Sequence, residues 1–499
     1  MKIHRFGSED PLAELSQHPQ VAYLRCYLSD LHASWILEET RYFDRDYLEE
    51  HAAYYAGLAA QYSSVCRRLH FFSEGFSTDA LERALGGEDD AHRTLQGSYL
   101  GFSVIRPLGH APLGRTVVQW YPDRPQDYGG NPRIDTPSRE YVTHVAGVQF
   151  RVRGLAWQQQ DGAVAVCATT ALWSMLHSSA FDDHHAIPTT SDVTRFAYRS
   201  LREGAHVFPA TDGLDNRQIQ DSIARAHLTP MLVQGDANDG FSREIFCTTV
   251  ATLLRSGYPV LLSGVLEDRG GHLTCVTGFR TSGSGSPNQD AAAEVFYVHD
   301  DNLGSNVREA IEFDEFEQVR LRPKAPPRRY EGEPLFDPAK DYPAFRPQQL
   351  IVGVHQGLHM PPLQLKQIGD ALVAAIQDGV EDQLTATLRF AKSASYAREF
   401  LRDALAGDAA GLRAVRRRLA EDVPPMGLHL GIVRIGSQTN PLVADVLIDA
   451  TDLAHLDASD SAQWWRAFGT VVYAKAYESR LKLLADELPL GFLVSDAAK

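Results

Sequence analysis

Residues 158–176 read QQQDGAVAVCATTALWSML, and this stretch decides how the rest of the chain is interpreted. A Gln-rich strand end is followed by a short turn, after which the apolar spacing predicts a helix that begins at Cys167. The unpaired N–H groups and the positive dipole end of a helix start favour a thiolate over a thiol. The stretch therefore predicts a nucleophilic cysteine, with small residues behind it that let the helix pack closely.

A thiolate nucleophile needs a base and a group that orients the base, and two downstream motifs offer them. GGHLTCVTGF (270–279) places His272 after a Gly-Gly turn, at the start of an alternating strand. VFYVHDDNLG (295–304) places Asp300 and Asp301 at the end of the next strand. Because adjacent antiparallel strands bring such ends together, we expect Asp300 to hold the Nδ1–H of His272 while Nε2 faces the thiol. Asp301 is the alternative orienting acid.

The ordered set of Gln160, Cys167, His272 and Asp300 resembles that of the papain-like cysteine peptidases. The resemblance is closest to their bacterial branches, such as the peptidases that process bacteriocin leaders and similar thiol hydrolases. In those families the Cys opens the central helix, the His starts a strand, and the acid follows the next strand, where DDNLG stands here. The resemblance covers residues 158–322. It implies an α+β fold of two lobes, in which a helical lobe carries the nucleophile and an antiparallel β lobe carries the His and the Asp.

Two features depart from the pattern of those families. In those families about five residues usually separate the Gln from the Cys. Here six residues separate Gln160 from Cys167, and seven separate Gln159 from Cys167. The residue after the cysteine, often Gly in the processing peptidases, is Ala168. Gln160 is the expected oxyanion donor, because its side-chain N–H can act beside the backbone N–H of Cys167. Gln159, Asp161 or a backbone amide are the alternatives.

These residues predict a thiol hydrolase, and specifically a cysteine peptidase that cleaves a peptide or isopeptide amide. Cys167 would attack the carbonyl, and His272 would accept the thiol proton and then donate it to the leaving amine. The same triad also runs deamidation, transglutamination and other acyl transfers, and neither fold nor triad chooses among them. A non-catalytic scaffold for protein interactions is the remaining alternative. Because the predicted chemistry needs neither a cofactor nor a metal, we expect none.

The composition of the 499-residue chain is that of a globular protein with several domains. There are 48 Lys and Arg against 64 Asp and Glu, which gives a net charge of −16. Such a surface repels phosphate backbones and anionic lipid, so we expect a peptide or protein substrate and no nucleic-acid or membrane partner. Five scattered cysteines, a polar N-terminus and the lack of a long apolar run predict a cytoplasmic protein.

Changes in composition along the chain predict four regions. Residues 1–97 have the three-and-four apolar spacing of helices and are expected to be mostly helical. Residues 98–325 form the expected catalytic domain, which begins with strands rich in β-branched residues. A Pro-rich linker or strap is predicted over 326–349, and an α+β domain of unknown role over 350–499. The N-terminal or the C-terminal region is a possible binding surface for a protein partner.

Overall fold

The structure is a computed structural model, and the chain forms two compact units. The described residues are 1–58, 60–120, 133–134, 137–161, 167–197, 213–236, 240–267, 269–281, 293–324, 342–377, 381–404, 407, 409–421, 427–437, 444–451, 469–471 and 491–492. The first unit comprises Met1–Phe241, Gly257–Phe279 and Val295–Val354, and the second comprises Ser242–Ser256, Arg280–Glu294 and His355–Lys499. Within the described ranges, no helix has both the length and the apolar character needed to span a bilayer.

The first unit combines strands and helices that position the candidate site. Its strands are β1 (Lys2–Arg5), β2 (Trp35–Tyr42), β3 (Cys66–Phe72), β4 (Tyr99–Ile105), β5 (Leu113–Val118), β6 (Arg139–Val145), β7 (Val148–Gly154), β8 (Thr229–Gln234), β9 (Val260–Leu266), β10 (Gly270–Thr281), β11 (Ala293–Asp300), β12 (Gly304–Phe313), β13 (Val319–Pro323) and β14 (Phe345–Val354). Its helices are α1 (Pro19–Asp30), α2 (Arg45–Glu50), α3 (Thr78–Leu85), α4 (Asp89–Gly97), α5 (Cys167–Leu176), α6 (Thr190–Ala197) and α7 (Asn216–Arg225).

Strands β1 to β5 form an antiparallel sheet in sequential order. The prediction that residues 1–97 are mostly helical is therefore wrong for Trp35–Tyr42 and Cys66–Phe72, which are β2 and β3. Apolar and aromatic residues crowd this stretch of sequence, and short apolar runs fit a buried strand as well as a helix. Pairing across the sheet, which sequence spacing does not reveal, decides between the two.

Six strands of the first unit close into a barrel. Their order is β13-β12-β11-β10-β9-β14, and the ring closes where Leu321 of β13 pairs with Phe345 of β14. Strand β8 pairs with residues 349–354 of β14 and is not one of the six strands of the ring. Closure gives each of the six strands two neighbours. Strands β10 and β11, which carry His272 and Asp300, lie side by side in this ring.

The unit boundaries differ from the four predicted regions. Residues 1–97 belong to the same unit as the barrel, and the predicted boundary at residue 350 falls inside β14. The remainder of the predicted linker, 326–341, lies outside the described residues. Proline content suggested a linker, but Pro347 lies where the pairing of β14 with β9 shifts register. Such irregular positions accept a proline because a regular ladder bond is not lost.

Helix α1 packs directly on the turn that follows β11. The ring of Tyr23 lies 2.2 Å from the position that a Cβ on Gly304 would occupy, so a larger residue would force the helix away. Gln20 Nε2 donates to the backbone oxygen of Asp301 at 3.4 Å, and Tyr23 Oη donates to that of Asn306 at 3.4 Å. The N-terminal region therefore supports the segment that carries the predicted acid.

The second unit is a smaller α+β assembly. Its helices are α8 (Arg243–Arg255), α9 (Pro362–Gln377) and α10 (Ala409–Glu421), and its strands are β15 (Thr385–Lys392), β16 (His429–Gly436), β17 (Ala444–Asp449), β18 (Gly469–Val471) and β19 (Gly491–Phe492). These strands form one sheet in sequential order, so β15 is an edge strand. The buried cluster under the sheet consists of Tyr396, Leu401, Val415, Leu430, Ile432 and Leu447.

Candidate active site

Helix α5 begins at Cys167 and carries the predicted nucleophile. Cys167 is half-buried, whereas the next nine residues of the helix are buried. The first of these, Ala168, Thr169, Thr170 and Ala171, are small, and the helix contacts β9, α6 and α7. The cysteine thus lies at the accessible start of a helix that is otherwise inside the unit.

His272 lies near the start of β10, after Gly270, whose positive φ of 93° suits glycine. The ring is buried and bonds in two directions. Its Nε2 lies 3.2 Å from Asp300 Oδ2, and the ring also forms a hydrogen bond with the side chain of Cys167. The structure therefore brings Cys167, His272 and Asp300, which are far apart in sequence, into one hydrogen-bonded chain.

The orientation of the His272 ring differs from the predicted one. We expected Asp300 at Nδ1 and the thiol at Nε2, but Nε2 is the atom that contacts Asp300. The terminal torsion of histidine is broad and roughly two-fold, so a sequence pattern does not determine it. Each imidazole nitrogen can carry or accept the proton, so the acid-base chemistry of the triad does not depend on this orientation.

Asp300 is held by several donors besides the imidazole. Its Oδ2 accepts from Tyr342 Oη at 3.1 Å, and its Oδ1 accepts from the backbone N–H of Asn302 at 2.8 Å. Trp157 Nε1 donates to its backbone oxygen at 3.0 Å. Asp301 Oδ1, in contrast, is 4.0 Å from the imidazole Nε2, and its Oδ2 has no hydrogen-bond partner in the described part of the chain. Asp300 therefore has the better geometry for orienting the base.

Gln160 reaches the same turn, and its two neighbours do not. Gln160 Nε2 donates to Asn302 Oδ1 at 2.6 Å. Gln158 Nε2 donates to Glu50 Oε1 at 3.0 Å, and Gln159 Oε1 accepts a backbone N–H of β5 at 3.2 Å. Gln158 and Gln159 are buried, whereas Gln160 is half-buried. Of the three glutamines, Gln160 is therefore the one whose amide can act on a ligand at the triad.

Asp161, an alternative to Gln160, belongs to a buried ionic network. Its Oδ2 accepts from Tyr55 Oη at 2.7 Å and lies 3.7 Å from a guanidinium nitrogen of Arg106. Arg106 also lies 3.5 Å from Glu50 and donates to the backbone oxygen of Gln159 at 2.9 Å. The network fixes the end of the segment that leads toward the nucleophile. Residues 162–166, which complete that segment, lie outside the described residues.

The charges around His272 favour its protonated form. Burial alone lowers the pKa of His272, but the charge of Asp300, the hydrogen bonds to Asp300 and Cys167, and the charge of Asp301 raise it well above its ordinary value. Burial raises the pKa of Asp301 to about 7. The charge of His272 opposes this increase, and the charge of Asp300 adds to it.

The same cluster meets the distance requirement of a metal site. His272, Asp300 and Asp301 each offer one ligand atom, and these atoms lie within 4.8 Å of one another. Imidazole and carboxylate are ligands for several divalent metals. A metal bound there would compete with the bond between Asp300 and Nε2 of His272. That bond is the one by which an acid orients a catalytic base.

Cys167 is expected to be the first of the five cysteines that iodoacetamide modifies at neutral pH. Its exposure and its hydrogen bond to the ring of His272, the candidate base, favour its reaction. Cys66, Cys247 and Cys275 are buried, and burial raises the pKa of Cys66 to about 12. Cys26 is half-buried and serves as the internal reference. Mass spectrometry after limited alkylation measures the order, and earlier modification of any other cysteine would contradict the assignment.

Two buried side chains near the triad were missed by the sequence reasoning. Tyr342 lies in the predicted linker, and nothing in the sequence indicates that it reaches Asp300. Glu309 lies on β12 and is buried, and its carboxyl interacts electrostatically with Asp300 and His272. The strand-like run GSNVREAIEF holds two acids, Glu309 and Glu312, which strand alternation places on opposite faces, and this pattern is a signal that could have been noticed.

Glu309→Gln is expected to stabilise the protein at alkaline pH. Burial raises the pKa of Glu309 from 4.5 to about 8. The charge of Asp300 adds to this increase, and the charge of His272 opposes it. A carboxyl with a higher pKa in the folded chain makes the free energy of unfolding fall as pH rises between those two values. The loss is on the order of 4–5 kcal/mol, and glutamine removes it because it does not ionise.

Urea unfolding at about pH 5 and about pH 9 measures the effect of Glu309→Gln. The variant should match the wild type at the lower pH and exceed it at the higher one. Equal unfolding curves for the two proteins at both pH values would contradict the buried, protonated state of Glu309.

No protein-family model and no curated protein matches the chain. The function is therefore inferred from the geometry of Cys167, His272, Asp300 and Gln160.

Proposed function

We propose that this protein is a thiol hydrolase, and specifically a cysteine peptidase that cleaves a peptide or isopeptide amide. One observation carries the proposal: the ring of His272 bonds both to Cys167 and to Asp300. A nucleophile, a base and an orienting acid in one hydrogen-bonded chain are what nucleophilic acyl transfer requires. Cys167 is half-buried at a helix start, which leaves room for a substrate to approach this residue.

The reaction proceeds in two halves. Cys167 Sγ attacks the amide carbon, a C–S bond forms, and the carbonyl π electrons move onto oxygen. His272 holds the former thiol proton and donates it to the leaving amine as the C–N bond breaks. His272 then takes a proton from water, whose oxygen attacks the thioester, and the C–S bond breaks to release the acid. Asp300 keeps the ring in position throughout.

Gln160 is the residue that we assign to the oxyanion, together with the backbone N–H of Cys167. A side-chain amide has two N–H donors, and one of those on Gln160 is donated to Asn302. This bond holds the amide in place. The other N–H can then bond to the charge that develops on the substrate oxygen, with little reorganisation of the side chain. The turn of residues 300–302 thus connects the oxyanion donor to the triad.

A papain-like architecture is the fold that we propose for this part of the chain. Cys167 starts a helix that packs against α6 and α7, whereas His272 and Asp300 lie on neighbouring strands of the barrel. This division supports a helical lobe and a β lobe that contribute to one site. The five free thiols support a reducing, cytoplasmic compartment.

Deamidation, transglutamination and other acyl transfers use the same triad and differ in the acceptor of the acyl group. Incubation of the purified chain with a mixture of peptides and a labelled primary amine distinguishes them. Peptide hydrolysis yields new N-termini, deamidation releases ammonia from intact peptides, and acyl transfer incorporates the amine. We expect new N-termini with the wild type and none with Cys167→Ala. If the wild type changes no peptide in any of these ways, the scaffold alternative replaces the proposal.

A further inference from the structure

A pocket of about 580 Å³ lies within the second unit, between α8, α9 and the edge strand β15. Apolar side chains of α9 and β15, among them Val373 and Leu388, form part of its lining. Its polar lining includes the carboxylates of Glu244, Asp370 and Glu381. The pocket therefore combines an apolar surface, acidic groups and the backbone of an edge strand.

Alternate backbone groups of β15 point away from its neighbour β16. Just beyond β15, the N–H of Ser393 donates to Leu428 at 3.0 Å, whereas the N–H of Phe390 donates to Ser256 Oγ after α8 at 2.7 Å. Antiparallel pairs alternate between bonded and non-bonded positions, so odd-numbered residues of β15 bond to β16. The N–H and C=O of even-numbered residues therefore face the free edge.

Side chains from the helical segments cover this edge at both ends of the pocket. At one end, Gln377 Oε1, at the end of α9, accepts the outward N–H of Leu384 at 2.8 Å. At the other end, Ser256 Oγ accepts the outward N–H of Phe390. Between them lie Ala386 and Leu388, which line the pocket. Their outward groups span about three residues, or roughly 10 Å, which is enough to pair with a short extended segment.

Thr248 of α8 adds a buried hydroxyl to the same pocket. Thr248 is 1% exposed, and its Oγ1 has no hydrogen-bond partner within the described part of the chain. A buried polar group without a partner costs free energy, which a bond to a ligand would recover. This second feature, independent of the strand edge, also indicates a polar ligand.

The charges of the pocket favour a basic ligand. Lys366 lies 2.8 Å from Glu244 and forms an ion pair with Asp370, so one ammonium faces three carboxylates when Glu381 is included. We propose that the pocket binds an extended, basic peptide segment. The segment adds as a short strand along Ala386 and Leu388 and places a Lys or Arg side chain among the carboxylates. The inference is independent of the proposed hydrolysis, because every group it uses lies in the second unit.

Fluorescence anisotropy with the full chain carrying Cys167→Ala, which leaves the probe uncut, tests the proposal. The probe is a fluorescein-labelled peptide in which valine alternates with lysine and arginine. One comparison probe has the same sequence with alternate amides N-methylated, and the other has glutamate at the basic positions. We expect the basic probe to bind, N-methylation to weaken binding by about tenfold or more, and the acidic probe to bind more weakly than the basic one.

Three variants on the same Cys167→Ala background locate the contact. Ala386→Pro removes an outward N–H and breaks no bond to β16, and edge strands tolerate such a proline. This variant should weaken binding by about tenfold. Ala386→Ser keeps the N–H and should weaken binding far less than Ala386→Pro does. Glu381→Lys, at an exposed position, should weaken binding of the basic probe and reduce its dependence on salt.

Four results would overturn the proposal. They are failure of the basic probe to bind, equal binding of the N-methylated probe, and unchanged binding by both Ala386→Pro and Glu381→Lys. The fourth is displacement of the probe by free arginine amide at the concentration at which the peptide itself displaces it, which would make the pocket a small-molecule site.

Discussion

Replacement of either Cys167 or His272 by alanine should reduce hydrolysis of a susceptible amide by at least about 10³-fold. Without the sulfur no thioester can form, and without the imidazole no group holds the proton that the leaving amine requires. Because the two residues act as one unit, the double variant should lose almost nothing beyond either single variant. Initial rates of appearance of new N-termini measure all three.

Controls separate this chemical effect from a loss of folding. Cys26→Ser changes a half-buried thiol that the mechanism does not use and should leave the rate unchanged. Asp300→Asn should cost less than His272→Ala, since an amide oxygen can still accept the ring N–H. Near-wild-type rates for Cys167→Ala in a folded protein would contradict the assignment of the nucleophile.

Gln160→Ala should cost about 2–4 kcal/mol of transition-state stabilisation, which corresponds to a loss of roughly 30- to 900-fold in kcat. The amide acts on charge that develops only during the reaction, so the loss should appear in kcat with little change in KM. Steady-state kinetics on the substrate that gives new N-termini measure both parameters.

The neighbouring glutamines provide matched controls for Gln160→Ala. Gln158 and Gln159 are buried and bond to Glu50 and to the β5 backbone, so their alanine variants should lower the free energy of unfolding. Once folded, these variants should retain kcat. A silent Gln160→Ala variant beside a folded but inactive Asp161→Ala variant would move the oxyanion role to Asp161.

The local elements that carry the candidate triad could be predicted from the sequence. Cys167 starts a helix, His272 lies near the start of a strand, and Asp300 ends the next strand, as the motifs indicate. Each of these elements follows from short-range signals, such as glycine turns and alternating apolar residues. The convergence of His272 and Asp300 follows from the pairing of the adjacent strands β10 and β11.

What could not be predicted depends on contacts between distant parts of the chain. The strand Cys66–Phe72 is determined by its sheet partners, and β14 by the two strands on which it closes the barrel. Tyr342 reaches Asp300 across 42 positions of sequence, and Arg106 reaches Gln159 across 53. Spacing within a motif carries no information about such partners.

A peptide-like electrophile tests the central proposal most directly, because it requires a nucleophile and a substrate site together. The full chain is incubated with a peptidyl vinyl sulfone, and mass spectrometry maps the adduct. We predict stoichiometric labelling of Cys167, its loss in His272→Ala, and its suppression by prior limited alkylation with iodoacetamide. A folded protein that takes up no label, or that takes it up on another cysteine while Cys167 stays free, would contradict the proposal.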